Sequence, residues 1–422
     1  MKDNLLKASS FIFAGTMLGN AFNYLFQVTM GRVLEIQTFG EMNALFSMMV
    51  ILGVPFASIT NFLTKNTANY YALSFNKQVN TLIVKSYKFI LIVGSFIFIV
   101  GAFFSGYISN YLKISNAIPV ILLFFSIFLS AILPINNGVL QGMHNFRLLS
   151  FVAAGGGVIR YIVCVFLVLL GMGLNGIMIG TIITIALLGY ISFMPIGRHL
   201  KMGMEPVKLN ENGISSIIPI LLANLAFALF AQSDIILVKY YFSPHEAGIY
   251  SSAAIIGKTV MYIPGAIVIS LLPMAASSKA RDEGTLHLIL KALALTVLLS
   301  GSGAAILYLF PDFIVSIFFG KKFISATSLT GLFAVAMMPL AVIMVIMNYN
   351  IAKGGRYFAY YMLAGSAVQV FGIMHFHDSL ENVLKVILYS GMFSMTVLFS
   401  LLAMEYYRGR LQILGLFVKQ TK

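Results

Sequence analysis

The chain has 422 residues, of which 59% are hydrophobic and 9% are charged. An ordinary globular domain carries about 25% charged residues, so this composition excludes a soluble protein and favours an all-α integral membrane protein. The net charge of +14 would suggest nucleic acid in a soluble protein. Membrane proteins collect Lys and Arg in cytoplasmic loops instead, so we expect no nucleic-acid partner.

Twelve apolar segments are long enough to cross a bilayer as helices. About 20 apolar residues, at about 1.5 Å per residue, span a hydrocarbon core of about 30 Å. The segment at the start follows a few polar residues, and we interpret it as an uncleaved first span rather than a signal peptide. The predicted spans are 8–31, 41–64, 87–109, 117–141, 147–171, 174–196, 214–239, 247–275, 287–310, 324–350, 357–376 and 383–406.

The basic residues predict the orientation of these spans. If the N-terminus lies in the cytoplasm, most of the 27 Lys and Arg residues fall in the loops on that same side. Cytoplasmic loops carry such an excess of positive charge. The pattern predicts a multi-pass protein of the plasma (inner) membrane with both termini in the cytoplasm.

A longer loop at 197–213 divides the spans into two sets of six, and the two sets show a faint likeness. Gly40 opens the second span as Gly248 opens the eighth, and each span then carries a proline, Pro55 or Pro264. An even number of spans gives both halves the same orientation, as in transporters built from parallel repeats. We predict an N-terminal lobe (1–200), a cytoplasmic connecting loop (201–213), a C-terminal lobe (214–406) and a basic cytoplasmic tail (407–422).

Three charged residues lie inside predicted spans: Arg160 in the fifth, Asp234 in the seventh and Lys258 in the eighth. Charged groups at membrane depth are expensive, so each must face a partner helix or a wet cavity. Arg160 and Lys258 suit an anionic group such as a lipid diphosphate, although ion pairs that fix helix packing are the alternative. Asp234 is a candidate for coupling a proton or sodium ion, for pairing with Lys258, or for an interfacial position near Lys239.

A polar stripe runs along the first span. Asn20, Asn23, Tyr24 and Gln27 recur at spacings of three and four, which places them on one helical face. Asn224 adds polarity to the seventh span. Amides and a Tyr hydroxyl suit the hydroxyl groups of a sugar in a cavity, whereas hydrogen bonding between helices is the alternative interpretation.

The sequence offers little for catalysis or cofactor binding. His375 and His377 have no third ligand nearby, so we predict no metal site. The GxxxxGK[ST] motif does not occur, and we expect no cofactor. The acidic residues of the outer loops lie on no sizeable loop that would suit a membrane enzyme, and we expect no enzymatic activity. Those residues are Asp312, Asp378 and Glu381.

Around the seventh and eighth spans the chain resembles the polysaccharide flippases of the multidrug/oligosaccharidyl-lipid/polysaccharide (MOP) exporter superfamily. An aspartate with an Ile-Ile-Leu-Val run at 234–238 precedes a short loop and a Gly-x-Tyr-x-x-Ala sequence at the start of a helix. The remaining motif residues are Gly248, Tyr250, Ala253 and Pro264, with Phe39, Gly40 and Glu41 as their first-half counterpart.

The resemblance implies two six-helix lobes around a central cavity that opens to each side of the membrane in turn. It further implies flipping of a polyprenyl-diphosphate-linked oligosaccharide to the outer leaflet for cell-surface polysaccharides such as O-antigen. Membrane lipid, H⁺ or Na⁺ as coupling ion, and other polysaccharide assembly proteins are the partners expected. A multidrug or cation antiporter of the same superfamily is the alternative, and a glycan-processing membrane enzyme is a further one.

Overall fold

The computed structural model describes residues 2–73, 75–200, 203–205, 212–265, 267 and 286–413, which form α-helices and no strand. Most helices are rich in aliphatic and aromatic side chains. The hydrogen bonds within each helix satisfy its backbone polar groups, as a bilayer requires. The helices of the first half are α1 (Lys2–Val33), α2 (Ile36–Ala72), α3 (Asn76–Phe103), α4 (Ser105–Tyr111), α5 (Ile118–Ser130), α6 (Ile132–Gly142), α7 (Phe146–Leu167) and α8 (Gly173–Leu200).

The second half continues in the same manner, and a short 3₁₀ turn, Lys321–Ala326, precedes its most buried helix. Its described helices are α9 (Asn212–Tyr241), α10 (Pro244–Gly257), α11 (Thr259–Tyr262), α12 (Leu286–Leu309), α13 (Pro311–Phe319), α14 (Thr327–Lys353), α15 (Phe358–His375) and α16 (Leu380–Ile413).

Each predicted span coincides with a helix or with two consecutive helices. The fourth span is α5 with α6, and the eighth begins as α10 with α11 before residues 268–275, which lie outside the described residues. By length and composition, eight helical segments of the described chain are able to cross a membrane, and one of them, Phe146–Arg198, contains the fifth and sixth predicted spans. The prediction of an all-α integral membrane protein is confirmed.

A sharp bend separates α7 from α8. A π-helical turn, Val168–Met172, lies between them, and Gly171 and Gly173 adopt φ angles of 84° and 51°. Positive φ costs a glycine little because it has no Cβ. The chain reverses here, and α8 packs back against α7.

The chain divides into two compact units, of which the first comprises Met1–Ile217 with Val238–Ser251. Within it, α1 packs along α7, α2 on α6, and α5 on α3 and α8. The glycines of α7 allow the first of these contacts, since a Cβ on Gly157 would meet the carbonyl oxygen of Gly19 at 2.1 Å. The sequence therefore places small residues where two backbones approach, as membrane helices commonly do.

The second unit comprises Ile218–Leu237 with Ser252–Lys422, and α14 forms its core. Within the described part of this unit α12 and α16 pack on α14, and 78% of its most apolar stretch is buried. Ile343, Val345 and Ile346 are fully enclosed. The lobe boundaries expected from the sequence stay a prediction, because most of the connecting loop at 201–213 lies outside the described residues.

Candidate functional site

Lys258 and Asp234 form a buried ion pair in the second unit. Asp234 lies on α9, and Lys258 lies at the break between α10 and α11. The Lys258 ammonium is 2.9 Å from Oδ1 of Asp234, and the two side chains are only 7% and 0% exposed. The ammonium also donates a hydrogen bond to the carbonyl oxygen of Ala231. Each charge is therefore neutralised by its neighbour.

The packing of α10 against α14 places Lys258 in this position. Gly257 precedes it, and a Cβ there would meet the Phe333 side chain at 2.7 Å. The close approach brings the Lys258 ammonium to 5.7 Å from the centre of the Phe333 ring. The pairing of Asp234 with Lys258 that the sequence allowed is thus present, whereas roles in ion coupling and anion binding stay predictions.

Arg160 lies in the first unit with different surroundings. It is half-buried on α7, and its guanidinium carbon is 4.6 Å from the ring centre of Phe26 and 5.3 Å from that of Phe46. Its Nε is buried without a hydrogen-bond partner. Among the described residues no carboxylate lies within 4.0 Å of it. Two aromatic faces therefore hold this cation, and no anion neutralises it.

The polar stripe of α1 lies on the helix that packs against Arg160. Asn23 and Gln27 are half-buried, and both side-chain oxygens are enclosed without a hydrogen-bond partner. They flank Phe26, on which the guanidinium rests. Tyr24 is half-buried, whereas Asn20 is exposed. The structure thus brings Arg160 to the same turn of α1 as two amides with unused hydrogen-bonding capacity.

Asn224 lies apart from the other predicted residues of its unit. It is half-buried on α9, ten residues before Asp234, which corresponds to about 15 Å along a helix.

Asn136, a polar residue near the end of the fourth span, joins two helices. Its amide donates hydrogen bonds to Ser192 and to the carbonyl of Gly189 on α8.

Lys239 is a further buried cation, which the sequence alone did not predict. It is the last residue of the seventh predicted span, and its side chain is fully buried, with the ammonium 3.8 Å from Oε1 of Glu41. No hydrogen bond reaches this ammonium. The available signal was the position of Glu41 beside Gly40, the residue that the repeat equates with Gly248. The two glycines touch, since a Cβ on Gly40 would lie 2.8 Å from the Gly248 nitrogen.

Further contacts hold the hairpin between α9 and α10 within the first unit. The Lys113 ammonium donates to the carbonyl of Phe242 at 2.8 Å, and the rings of Tyr111 and Tyr240 stack 3.8 Å apart. Ser243 and Glu246 exchange hydrogen bonds as a capping box at the start of α10. The bonds from the side chain and backbone of Ser243 lower the pKa of the Glu246 carboxyl below its ordinary value.

The sequence of the chain also matches the model of a known protein family. A family model described as "Polysaccharide biosynthesis protein" matches residues 30–328, well over half of the chain. The chain belongs to the polysaccharide biosynthesis protein family. The matched range includes Arg160, Asp234 and Lys258. A comparison with curated protein sequences gave no significant match.

Solved structures with the same fold include transporters of the MOP superfamily. An inward-facing multidrug resistance MATE family transporter superposes with a TM-score of 0.73 at 14% identity, covering 96% of this chain and 98% of its own. A MOP superfamily transporter from Pyrococcus furiosus, described as having a binding pocket of reverse polarity, gives 0.68 at 14%, covering 94% and 95%. The lipid II flippase MurJ, in an inward closed conformation, gives 0.63 at 13%, covering 94% and 87%.

This member of the polysaccharide biosynthesis protein family therefore has the fold of a multi-pass MOP-superfamily transporter over nearly its whole length. The resemblance that the sequence showed near residues 39–41 and 234–253 is confirmed.

Proposed function

We propose that this family member flips a polyprenyl-diphosphate-linked oligosaccharide from the cytoplasmic to the outer leaflet of the plasma (inner) membrane. The product would serve the assembly of a cell-surface polysaccharide, such as an O-antigen. Both termini would lie in the cytoplasm. The lobes 1–200 and 214–406 would move so that the substrate's headgroup is accessible first from the cytoplasm and then from the outside. Other polysaccharide assembly proteins would supply and consume the lipid-linked glycan.

The observation that carries this proposal is the guanidinium of Arg160, which has no carboxylate within 4.0 Å among the described residues and whose buried Nε has no hydrogen-bond partner. A cation without a counterion is expensive in a bilayer, and an anionic ligand would satisfy it. The Arg guanidinium matches the oxygens of a phosphate through two parallel hydrogen bonds. The free amide oxygens of Asn23 and Gln27 add acceptors for sugar hydroxyl groups on the adjacent turn of α1. Tyr24, Asn20 and Asn224 extend the proposed polar lining.

Lys258 would take part in ion coupling in this proposal. Its ammonium is held by Asp234 in the described conformation, so an anion would have to displace the carboxylate before it could bind there. Protonation of Asp234, or sodium binding to it, would weaken the pair and release Lys258. That exchange would couple an ion gradient to substrate movement, and the chain contains no GxxxxGK[ST] motif for ATP.

A flipping assay in proteoliposomes tests the proposal. A fluorescent oligosaccharide on polyprenyl diphosphate would be reconstituted with the protein, and its leaflet followed by access of a membrane-impermeant glycosidase. Arg160→Gln should slow flipping by roughly tenfold or more, because a charge-assisted hydrogen bond contributes about 1.5–3 kcal/mol. Arg160→Lys should retain part of the rate. Equal rates for all three proteins would remove the anion-binding role.

A multidrug or cation antiporter is the second candidate, and the likeness to the MATE fold favours it. Cationic drugs need an uncompensated carboxylate, however, and the intramembrane Asp234 is paired with Lys258. Expression in a drug-sensitive host separates the two functions. Resistance to cationic dyes that is lost in Asp234→Asn would favour the antiporter, whereas unchanged sensitivity with restored surface glycan favours the flippase. The same fold gives no support to an enzymatic role, and we propose none.

A further inference from the structure

A cavity of about 560 Å³ lies in the second unit, away from the residues discussed above. The end of α14, the loop after it and the first turn of α15 form one wall, and the later part of α16 forms the other. The residues that matter for its chemistry are Asn350, Arg356, Tyr357, Leu398, Leu401 and Leu402.

The lining of this cavity carries a positive charge. Arg356 lines it, and no carboxylate is among the residues that form the wall. The loop also leads into α15, whose cap residue, Tyr357, makes no side-chain hydrogen bond to the helix and whose first turn has no acidic residue. The partial positive charge of a helix N-terminus therefore adds to that of the guanidinium.

Apolar residues also line the cavity. They are Leu398, Leu401 and Leu402 on α16 and Phe358 on α15. Tyr357, Tyr360 and Tyr361 nearby in the chain are exposed, and tyrosines concentrate at the level of lipid headgroups. The cavity therefore combines a cation with an apolar surface, and the exposed tyrosines suit a position where a membrane meets water.

We infer that this cavity binds one anionic glycerophospholipid of the leaflet on its side, predicted to be the cytoplasmic one. The lipid phosphate would contact Arg356 and the first N–H groups of α15, and an acyl chain would lie on the leucines of α16. Basic pockets between transmembrane helices bind anionic headgroups in this manner.

A phospholipid fits this cavity better than a lipid-linked glycan does. A glycan needs many groups for its hydroxyls, and the side-chain amide of Asn350 already donates to the carbonyl of Ile346. The inferred site is therefore separate from the transport site at Arg160, and it stands whether or not the protein flips a glycan.

Native mass spectrometry of the full chain in detergent tests the inference. Phosphatidylglycerol and phosphatidylcholine with identical acyl chains would be titrated in parallel. The first phosphatidylglycerol should bind about fivefold more tightly, since one basic residue near a membrane surface favours an anionic lipid by about that factor. Arg356→Gln should reduce the preference to near parity.

Two further variants make the outcome decisive. Arg147→Gln removes an exposed arginine of the first unit and should leave the preference unchanged. Leu401→Trp fills the apolar floor and should weaken the first bound copy of both lipids. Melting temperatures near that of the unmodified protein would show that the variants fold. The inference fails if Arg356→Gln keeps the preference, if Arg147→Gln removes it equally, or if Leu401→Trp binds both lipids normally.

Discussion

Arg160 and Lys258 are both cations within predicted membrane spans, yet they are held in opposite ways. Lys258 is 2.9 Å from a fully buried carboxylate and also donates to a backbone carbonyl. Arg160 rests on two phenylalanine rings with its Nε unsatisfied. One cation is neutralised by the fold, and the other has no carboxylate partner among the described residues.

The difference separates stability from function. A buried ion pair that loses one partner leaves an uncompensated charge, which destabilises the fold strongly. Removal of a cation that has no charged partner leaves no uncompensated charge behind. The comparison therefore predicts that Lys258 matters chiefly for folding in the described conformation, and that Arg160 matters chiefly for binding.

The largest expected effect is on the pair itself. Lys258→Ala should lower the free energy of unfolding by about 3–5 kcal/mol, because Asp234 is then buried alone. The double variant Lys258→Ala/Asp234→Ala should recover much of that loss, as a double-mutant cycle in detergent with graded denaturant would show. Strictly additive losses would mean that the two residues do not stabilise each other, and the contrast with Arg160 would disappear.

A smaller effect is expected where α1 meets α7, beneath Arg160. Gly157→Ala places a methyl group 2.1 Å from the Gly19 carbonyl oxygen, so the helices must separate at a cost of about 1–3 kcal/mol. Gly156→Ala is the matched control, because a Cβ there meets nothing within 4 Å. Thermal unfolding of the two variants measures the difference. Equal melting temperatures would show that the close contact of Gly157 with Gly19 does not contribute to stability.

The smallest expected effect sharpens the contrast with an intermediate case. The Glu41–Lys239 pair is 3.8 Å long and has no hydrogen bond, so it is weaker than the Asp234–Lys258 pair. Glu41→Gln leaves the buried Lys239 ammonium without a counterion, yet it should cost less stability than Asp234→Asn, since the Coulomb attraction falls with distance. A ranking measured by equilibrium unfolding in which Glu41→Gln is the more destabilising would reverse this order.

Much of the fold was predictable because bilayer thickness imposes a fixed length on apolar segments. The twelve spans and the functional interest of Arg160, Asp234 and Lys258 followed from that constraint and from the cost of charge in lipid. The motif on α9 and α10 gave the resemblance to the MOP-superfamily flippases, and the family model that matches residues 30–328 shows the family.

Which charges meet was beyond the sequence. Pairing depends on the relative rotation and depth of two helices, and a shift of one residue turns a side chain by about 100°. For that reason the sequence did not predict that Lys239 is fully buried beside Glu41. The unsatisfied oxygens of Asn23 and Gln27 were also invisible, because only packing decides which amides find partners.

A thermal shift with a diphosphate lipid tests directly whether Arg160 binds the anionic group of the substrate. Farnesyl diphosphate at about 100 times its dissociation constant should stabilise the unmodified protein by about 2.7 kcal/mol, seen as a rise in melting temperature. Arg160→Gln should melt near the unmodified temperature without ligand and should lose the rise. The Lys258→Ala/Asp234→Ala variant should keep it. A rise in Arg160→Gln equal to that of the unmodified protein would contradict the account.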